Sequence, residues 1–180
     1  YLTAAVLVGL AVGSFLNVCI VRVPNEKSIV SPPSHCPHCN AILSFYDNIP
    51  LLSYIILRGR CRCCGAGISL RYFLVELLMG AFAVVLFDRF GLSYSFFVSF
   101  LLIAALIVIS FIVLDVRIVP DVISLPGIVC GLVLSVVGYF MIGRDSELVP
   151  SPVSSLVGIV VGGGFLFVTA WLYGKVTGVE

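Results

Sequence analysis

The run from about Phe96 to Leu114 contains no Asp, Glu, Lys, Arg, Pro or Gly. About 20 apolar residues in a row suffice to cross the hydrocarbon core of a bilayer as a helix, which satisfies its own backbone polar groups where no water is present. Four further runs come close: Tyr1 to about Val21, about Tyr72 to Phe87 with Glu76 inside it, about Val122 to Ile142, and about Val153 to Tyr173. The Tyr72–Phe87 run is short for a span, so it should draw residues from its flanks or tilt little. Apolar residues make up 61% of the chain and charged ones 11%, against about 25% charged in a soluble domain. This excludes an ordinary soluble globule, and the apolar content excludes disorder. A formal net charge of +1 gives no basis for nucleic-acid binding through bulk charge. The expected fold class is an all-α polytopic membrane protein with about five transmembrane helices. The chain opens inside its first apolar run at Tyr1, so it is expected to be a piece of a longer protein.

The cations set the orientation. Arg22, Lys27, Arg58, Arg60, Arg62, Arg71, Arg117 and Lys175 fall on one side of the expected spans, and only Arg89 and Arg144 fall on the other. Basic residues gather on the cytoplasmic side, so the long loop from about residue 23 to 71 and the short loop from Asp115 to Asp121 are expected there. Gly9 and Gly13, Gly127 and Gly131, and Gly158 and Gly162 form small-xxx-small pairs, which let helix backbones approach closely. The run Gly162-Gly163-Gly164 could be a bend or a tight crossing.

Five of the seven cysteines lie in the long loop, as Cys36-Pro37-His38-Cys39, 21 intervening residues, and Cys61-Arg62-Cys63-Cys64. Two such pairs read as a structural zinc ribbon, each pair forming a turn that aims two thiolates at one ion. Cys63 competes with Cys64 for the fourth position. The residue after the second cysteine of such a turn often needs a left-handed backbone, which Gly65 adopts freely and Asn40 tolerates. The expected ligands are therefore Cys36, Cys39, Cys61 and Cys64. Four thiolates leave no open position for catalysis or for His35 and His38. A cytoplasmic location argues against disulfides. With Pro32, Pro33, Pro37 and Pro50 and little core, the loop should take much of its folding energy from the metal. Cys19 and Cys130 lie in apolar spans and read as packing residues.

Carboxylates at membrane depth are costly. Glu76 either snorkels or pairs with an arginine, Arg71 being near in sequence, or it serves a polar cavity on the cytoplasmic side. Asp121 follows Pro120 and suits a helix N-cap or first turn. Asp115 ends its span next to Arg117, where it is either a plain ion pair or part of a hydrolytic site.

Several ordered motifs together carry a resemblance that covers nearly the whole chain. They are Gly13-Ser14-Phe15-Leu16-Asn17-Val18, Cys36-Pro37-His38-Cys39, Asp47-Asn48-Ile49-Pro50-Leu51-Leu52-Ser53-Tyr54, Leu57-Arg58-Gly59-Arg60-Cys61 through Gly65, Ser69-Leu70-Arg71-Tyr72 with Val75-Glu76, and Ile118-Val119-Pro120-Asp121 through Gly127. The chain resembles the bacterial prepilin peptidases, or type IV leader peptidases. The resemblance implies an aspartic-type endopeptidase of the bacterial inner membrane that cleaves leaders of prepilins and pseudopilins at the cytoplasmic face. It also implies N-methylation of the new N-terminus with S-adenosylmethionine, an activity associated with the cysteine loop. On this reading residues 1–22 are the first span, 23–71 the zinc-binding loop, and 72–180 a peptidase domain that stops before its Gly-x-Gly-Asp motif. Asn17, Asp47, Asn48 and Glu76 stand in the matching motifs and are the candidates that the resemblance offers for shaping the methylation site.

The family's first catalytic aspartate lies in a Phe-Ile-Asp-Leu-Asp run. Here the run is Phe111-Ile112-Val113-Leu114-Asp115, which puts Val113 at that position. Asp115 is the candidate that remains, and the chain as written is expected not to cut by the family mechanism. One rival expectation is a catalytically inactive relative that serves as a pilin-binding membrane scaffold. Another, a zinc-stabilised transporter or channel, would need polar residues deep in several spans, and the last three show almost none. Oligomeric state is open at this level.

Overall fold

A computed structural model describes residues 1–142 and 151–177, and these are helical apart from the long loop and short connections. The elements are α1 (Leu2–Arg22), a 3-10 turn at Val23–Asn25, a second at Phe45–Asn48, α2 (Leu52–Ile56), α3 (Leu70–Phe90), α4 (Tyr94–Val116), α5 (Asp121–Ile142) and α6 (Pro152–Thr177). Among the described residues, α1, α3, α4 and α5 are long and apolar enough to cross a membrane. The fifth expected span falls in α6, whose stretch Pro152–Phe165 is a shorter apolar helix and which runs on through Gly162–Gly164 without a break.

The helix ends follow local chemistry. Ser69 caps α3, its Oγ accepting from the Arg71 amide, and Ser93 caps α4, its Oγ accepting from the Phe96 amide, both at 3.3 Å. The expected second span is extended by these flanks. At 21 residues α3 is about 31 Å long, enough to cross without borrowing further. α3 gives way to Gly91 at φ +58° and α4 to Arg117 at φ +59°. Asp121 stands in the first turn of α5, while the Pro120 carbonyl accepts from the Ile123 and Ser124 amides.

The chain divides into two compact units, Tyr1–Ser124 and Leu125–Glu180. In the first, α1 lies against α3, and α4 packs on both. The glycines on α1 explain the close approach. A Cβ added to Gly13 would fall 2.8 Å from the Glu76 Cα, and one on Gly9 would fall 2.6 Å from the Ala83 Cβ. The first small-residue pair is therefore used inside the chain. Leu16, Ile20, Val75, Met79, Ala104, Ile107, Val108 and Ile112 form the core between the three helices. In the second unit, Ser155 Oγ donates to Ser135 Oγ at 3.0 Å. Among the described residues, nothing beyond the helix's own backbone and the adjoining residues lies within 4 Å of a Cβ built at Gly127, Gly131, Gly158 or Gly162.

Candidate functional site

The two cysteine segments fold into the same turn twice. In the first, the Cys36 amide donates to the Ala41 carbonyl at 2.9 Å, the Asn40 amide donates to the Cys36 carbonyl at 2.9 Å, and His35 bridges Ile42. In the second, the Cys61 amide donates to the Ala66 carbonyl at 2.8 Å, the Gly65 amide donates to the Cys61 carbonyl at 2.9 Å, and Arg60 bridges Gly67. Asn40 has φ +56° and Gly65 has φ +70°, the left-handed turn residues that the sequence places there.

The paired turns gather four sulfurs. Cys36, Cys39, Cys61 and Cys64 place their Sγ atoms within 4.8 Å of one another, with Cys36–Cys64 at 3.9 Å and Cys39–Cys61 at 4.0 Å. Four thiolates held tetrahedrally at a zinc–sulfur distance of about 2.3 Å stand ~3.8 Å apart, so the cluster could hold such an ion. Cys63 is exposed and outside the cluster, and His35 and His38 are exposed beside it. All seven cysteines are unbridged.

The electrostatics of the sulfurs fit a cation. The backbone amides of Cys39 and His38 point at the Cys36 sulfur and lower its thiol to about 6. The Ala41 amide pulls Cys39 down, but burial and the sulfurs of Cys64, Cys36 and Cys61 outweigh it and push that thiol up to about 12. Cys64 is lowered by the Ala66 amide and raised more strongly by burial and by the sulfurs of Cys61 and Cys36. One thiolate at this site opposes the ionisation of its neighbours, and a bound cation removes that opposition.

Beside the cluster lies a cavity of about 510 Å³ whose lining includes Asn17, Asp47, Asn48, Arg71, Tyr72 and Glu76, together with Cys36 and Cys61. Glu76 is buried on α3, and its Oε2 accepts from the Leu51 amide at 2.8 Å. Leu51 stands at φ +60°, ψ −47°, and the Leu52 amide reaches back to the Pro50 carbonyl at 2.6 Å. That is a γ-turn of the rare, strained kind, and the Glu76 carboxylate holds its central amide. Asn17, buried on α1, donates to the Tyr72 carbonyl at 3.1 Å and more loosely to the Gly13 carbonyl at 3.4 Å. Asn17 Oδ1 and Arg71 Nε are buried without a hydrogen-bond partner among the described residues. Asp47 receives Arg62 through Nε at 2.8 Å and Nη2 at 2.7 Å, which ties the second cysteine turn to the Phe45–Asn48 turn.

The partners of Asp115 and Glu76 differ from the arginines nearest to them in sequence. Asp115 pairs with Arg71 of α3, not with Arg117. Arg117 takes the left-handed conformation that ends α4, while the N-terminal end of α3 comes within reach of Asp115. Glu76, for which an arginine partner was one reading, takes the Leu51 amide and the cavity instead. The structure thus gathers Asn17, Asp47, Asn48 and Glu76 around one cavity, and Arg71, which also lines it, pairs with Asp115. Val113 is half-buried on α4. Sequence reading missed the Leu51 amide and the Tyr72 carbonyl, since backbone groups carry no residue signature. The bulky Leu51 after Pro50 gives no hint of a positive φ.

A helical membrane protein with a four-cysteine ribbon, and beside it a mostly apolar cavity that carries a few polar side chains, defines the class. The chain belongs to the prepilin leader peptidase/N-methyltransferase family. The model for the bacterial peptidase A24 N-terminal domain matches residues 7–90. A Myxococcus xanthus protein named prepilin leader peptidase/N-methyltransferase is 46% identical over 140 residues, which cover 78% of this chain and 41% of that protein. Proteins of the same name from Burkholderia pseudomallei and Pseudomonas putida are each 34% identical, covering 99% and 100% of this chain and 63% and 67% of theirs. The chain therefore spans between about two fifths and two thirds of the length of these relatives. No solved structure matches.

Proposed function

We propose that this chain contributes to an enzyme of the bacterial inner membrane that removes the leaders of prepilins or pseudopilins at the cytoplasmic face and methylates the new N-terminus. Family membership supports the reading. The observation that carries the methylation half is the cavity of about 510 Å³ beside the cysteine ribbon, lined by buried Asn17 and Glu76. Sites for small molecules run from about 300 to 1,000 Å³ with few polar groups, so S-adenosylmethionine fits by size and by the unpartnered Asn17 Oδ1. When bound, that cofactor supplies the methyl group. Asn17 and Glu76 would orient the incoming amine, and Asp47 and Asn48 would line the rim. The four cysteines would hold structural zinc, which would fix the two turns that close one wall of the cavity.

For the peptidase half, one aspartate would act as base on water and the other as acid toward the amide. The 180 residues hold no Gly-x-Gly-Asp motif, and Asp115 is engaged by Arg71. The half-buried Val113 at the expected first position favours a second reading, an inactive relative that binds pilin precursors as a scaffold.

The test uses the full-length protein in detergent, with Val113 and with Val113→Asp, each given a prepilin substrate whose mass is followed. Cleavage by the Val113→Asp form alone would mark Val113 as a replaced catalytic position in an otherwise intact peptidase site. Equal cleavage by both forms would make Asp115 the first catalytic acid. Binding without cleavage in both would put the scaffold reading first.

A further inference from the structure

Most of the long loop is held by the cysteine turns, but α2 is fastened to the membrane helix itself. The Leu51 amide at its start donates to Glu76, six residues into α3 and therefore about 9 Å along that helix. The Tyr54 ring packs on Phe73 with centroids 5.5 Å apart, and the Tyr54 hydroxyl donates to the Ile68 carbonyl at 3.3 Å. These three contacts use one side of α2. The other side presents Leu52, Ile55 and Ile56, spaced i, i+3, i+4, with exposures of 57%, 60% and 71%. On α3, at the level of these contacts, Leu70, Leu74 and Leu77 are also exposed, as lipid-facing residues of a span must be. Directly after α2 come Arg58 and Arg60, both exposed and neither in an ion pair among the described residues.

We propose that α2 is an in-plane membrane anchor. Leu52, Ile55 and Ile56 enter the boundary between headgroups and acyl chains, and Arg58 and Arg60 meet the phosphates of anionic lipid. An apolar face bordered by unpaired cations is the pattern of interfacial segments, and here it belongs to a helix fastened directly to a membrane span. The occupant is the bilayer that carries α1 and α3. The anchor ties the γ-turn at Leu51, and with it one edge of the cavity, to the membrane surface.

The test places a single tryptophan, Ile56→Trp or separately Leu52→Trp, in the full-length protein with its other tryptophans, Trp171 included, changed to phenylalanine. The protein is reconstituted in nanodiscs. Lipids brominated near the top of the acyl chain should quench the emission about two-fold or more, and aqueous iodide should quench it weakly, as for a residue at the interface. Adding phosphatidylglycerol to phosphatidylcholine discs should strengthen the lipid quenching, and the double change Arg58→Ser with Arg60→Ser should remove that gain. Iodide quenching without lipid quenching at both positions would place α2 in water and overturn the proposal. Quenching by neither would mean that protein covers the face, which overturns it equally.

Discussion

The Arg71 guanidinium at the start of α3 meets the Asp115 carboxylate at the end of α4. The pair shows that two chain segments 44 residues apart in sequence reach the same end of the helix bundle. It is the end that carries the cysteine loop, as the distribution of basic residues implies. The Asp115 side chain is 46% exposed, so the pair is screened. Asp115→Asn should lower stability by no more than about 1 kcal/mol, read by chemical unfolding in detergent. A loss of several kcal/mol would mean that the pair is far better shielded from solvent than this.

Gly13 and Gly131 should separate under the same substitution. Gly13→Ala forces a methyl group against the Glu76 Cα, which is backbone and cannot swing away. A cost of about 1–3 kcal/mol is expected as α1 and α3 part. Gly131→Ala meets nothing within 4 Å among the described residues beyond its own helix, and it should be neutral or slightly stabilising through helix propensity. Equal effects at the two sites, measured by unfolding, would contradict the α1–α3 packing.

Glu76 should act through its oxygen on the Leu51 amide. Glu76→Gln keeps an acceptor at that place, whereas Glu76→Ala leaves a partly buried amide without one, a loss of about 1–3 kcal/mol. The Ala variant should become sensitive to protease between Ser44 and Leu57 while the Gln variant stays resistant. Proteolysis of both alike would remove the role given to this bond.

The cysteine cluster should bind one zinc ion per chain. Cys64→Ser should abolish binding, and Cys63→Ser, outside the cluster, should not. At pH 7 the Cys36 thiol, lowered to about 6, is already mostly ionised, while Cys39 and Cys64 are raised and hold their protons. Zinc added to the metal-free protein at pH 7 should therefore release at least two protons, from Cys39 and Cys64. Affinity should fall as the pH drops and steepen its fall below about 6, where Cys36 also takes up a proton. A pH-indicator titration beside a zinc assay reads both effects.

Much of this protein is written in local pattern. Apolar runs determine the spans because a backbone in lipid must satisfy its own hydrogen bonds, and that demand depends on run length alone. The cysteine turns are equally local: Cys36-Pro37-His38-Cys39-Asn40 and Cys61-Arg62-Cys63-Cys64-Gly65 carry their own geometry, down to the left-handed residue that selects Cys64 over Cys63. What tertiary structure decided is which groups meet across the chain. Asp115 finds Arg71 instead of its neighbour Arg117, Asn17 finds the Tyr72 carbonyl, and Glu76 finds the Leu51 amide. These partners depend on how closely α1, α3 and α4 approach and on where the loop returns. Spacing along one segment cannot encode a distance between two, and two of the three partners are backbone groups that every residue possesses.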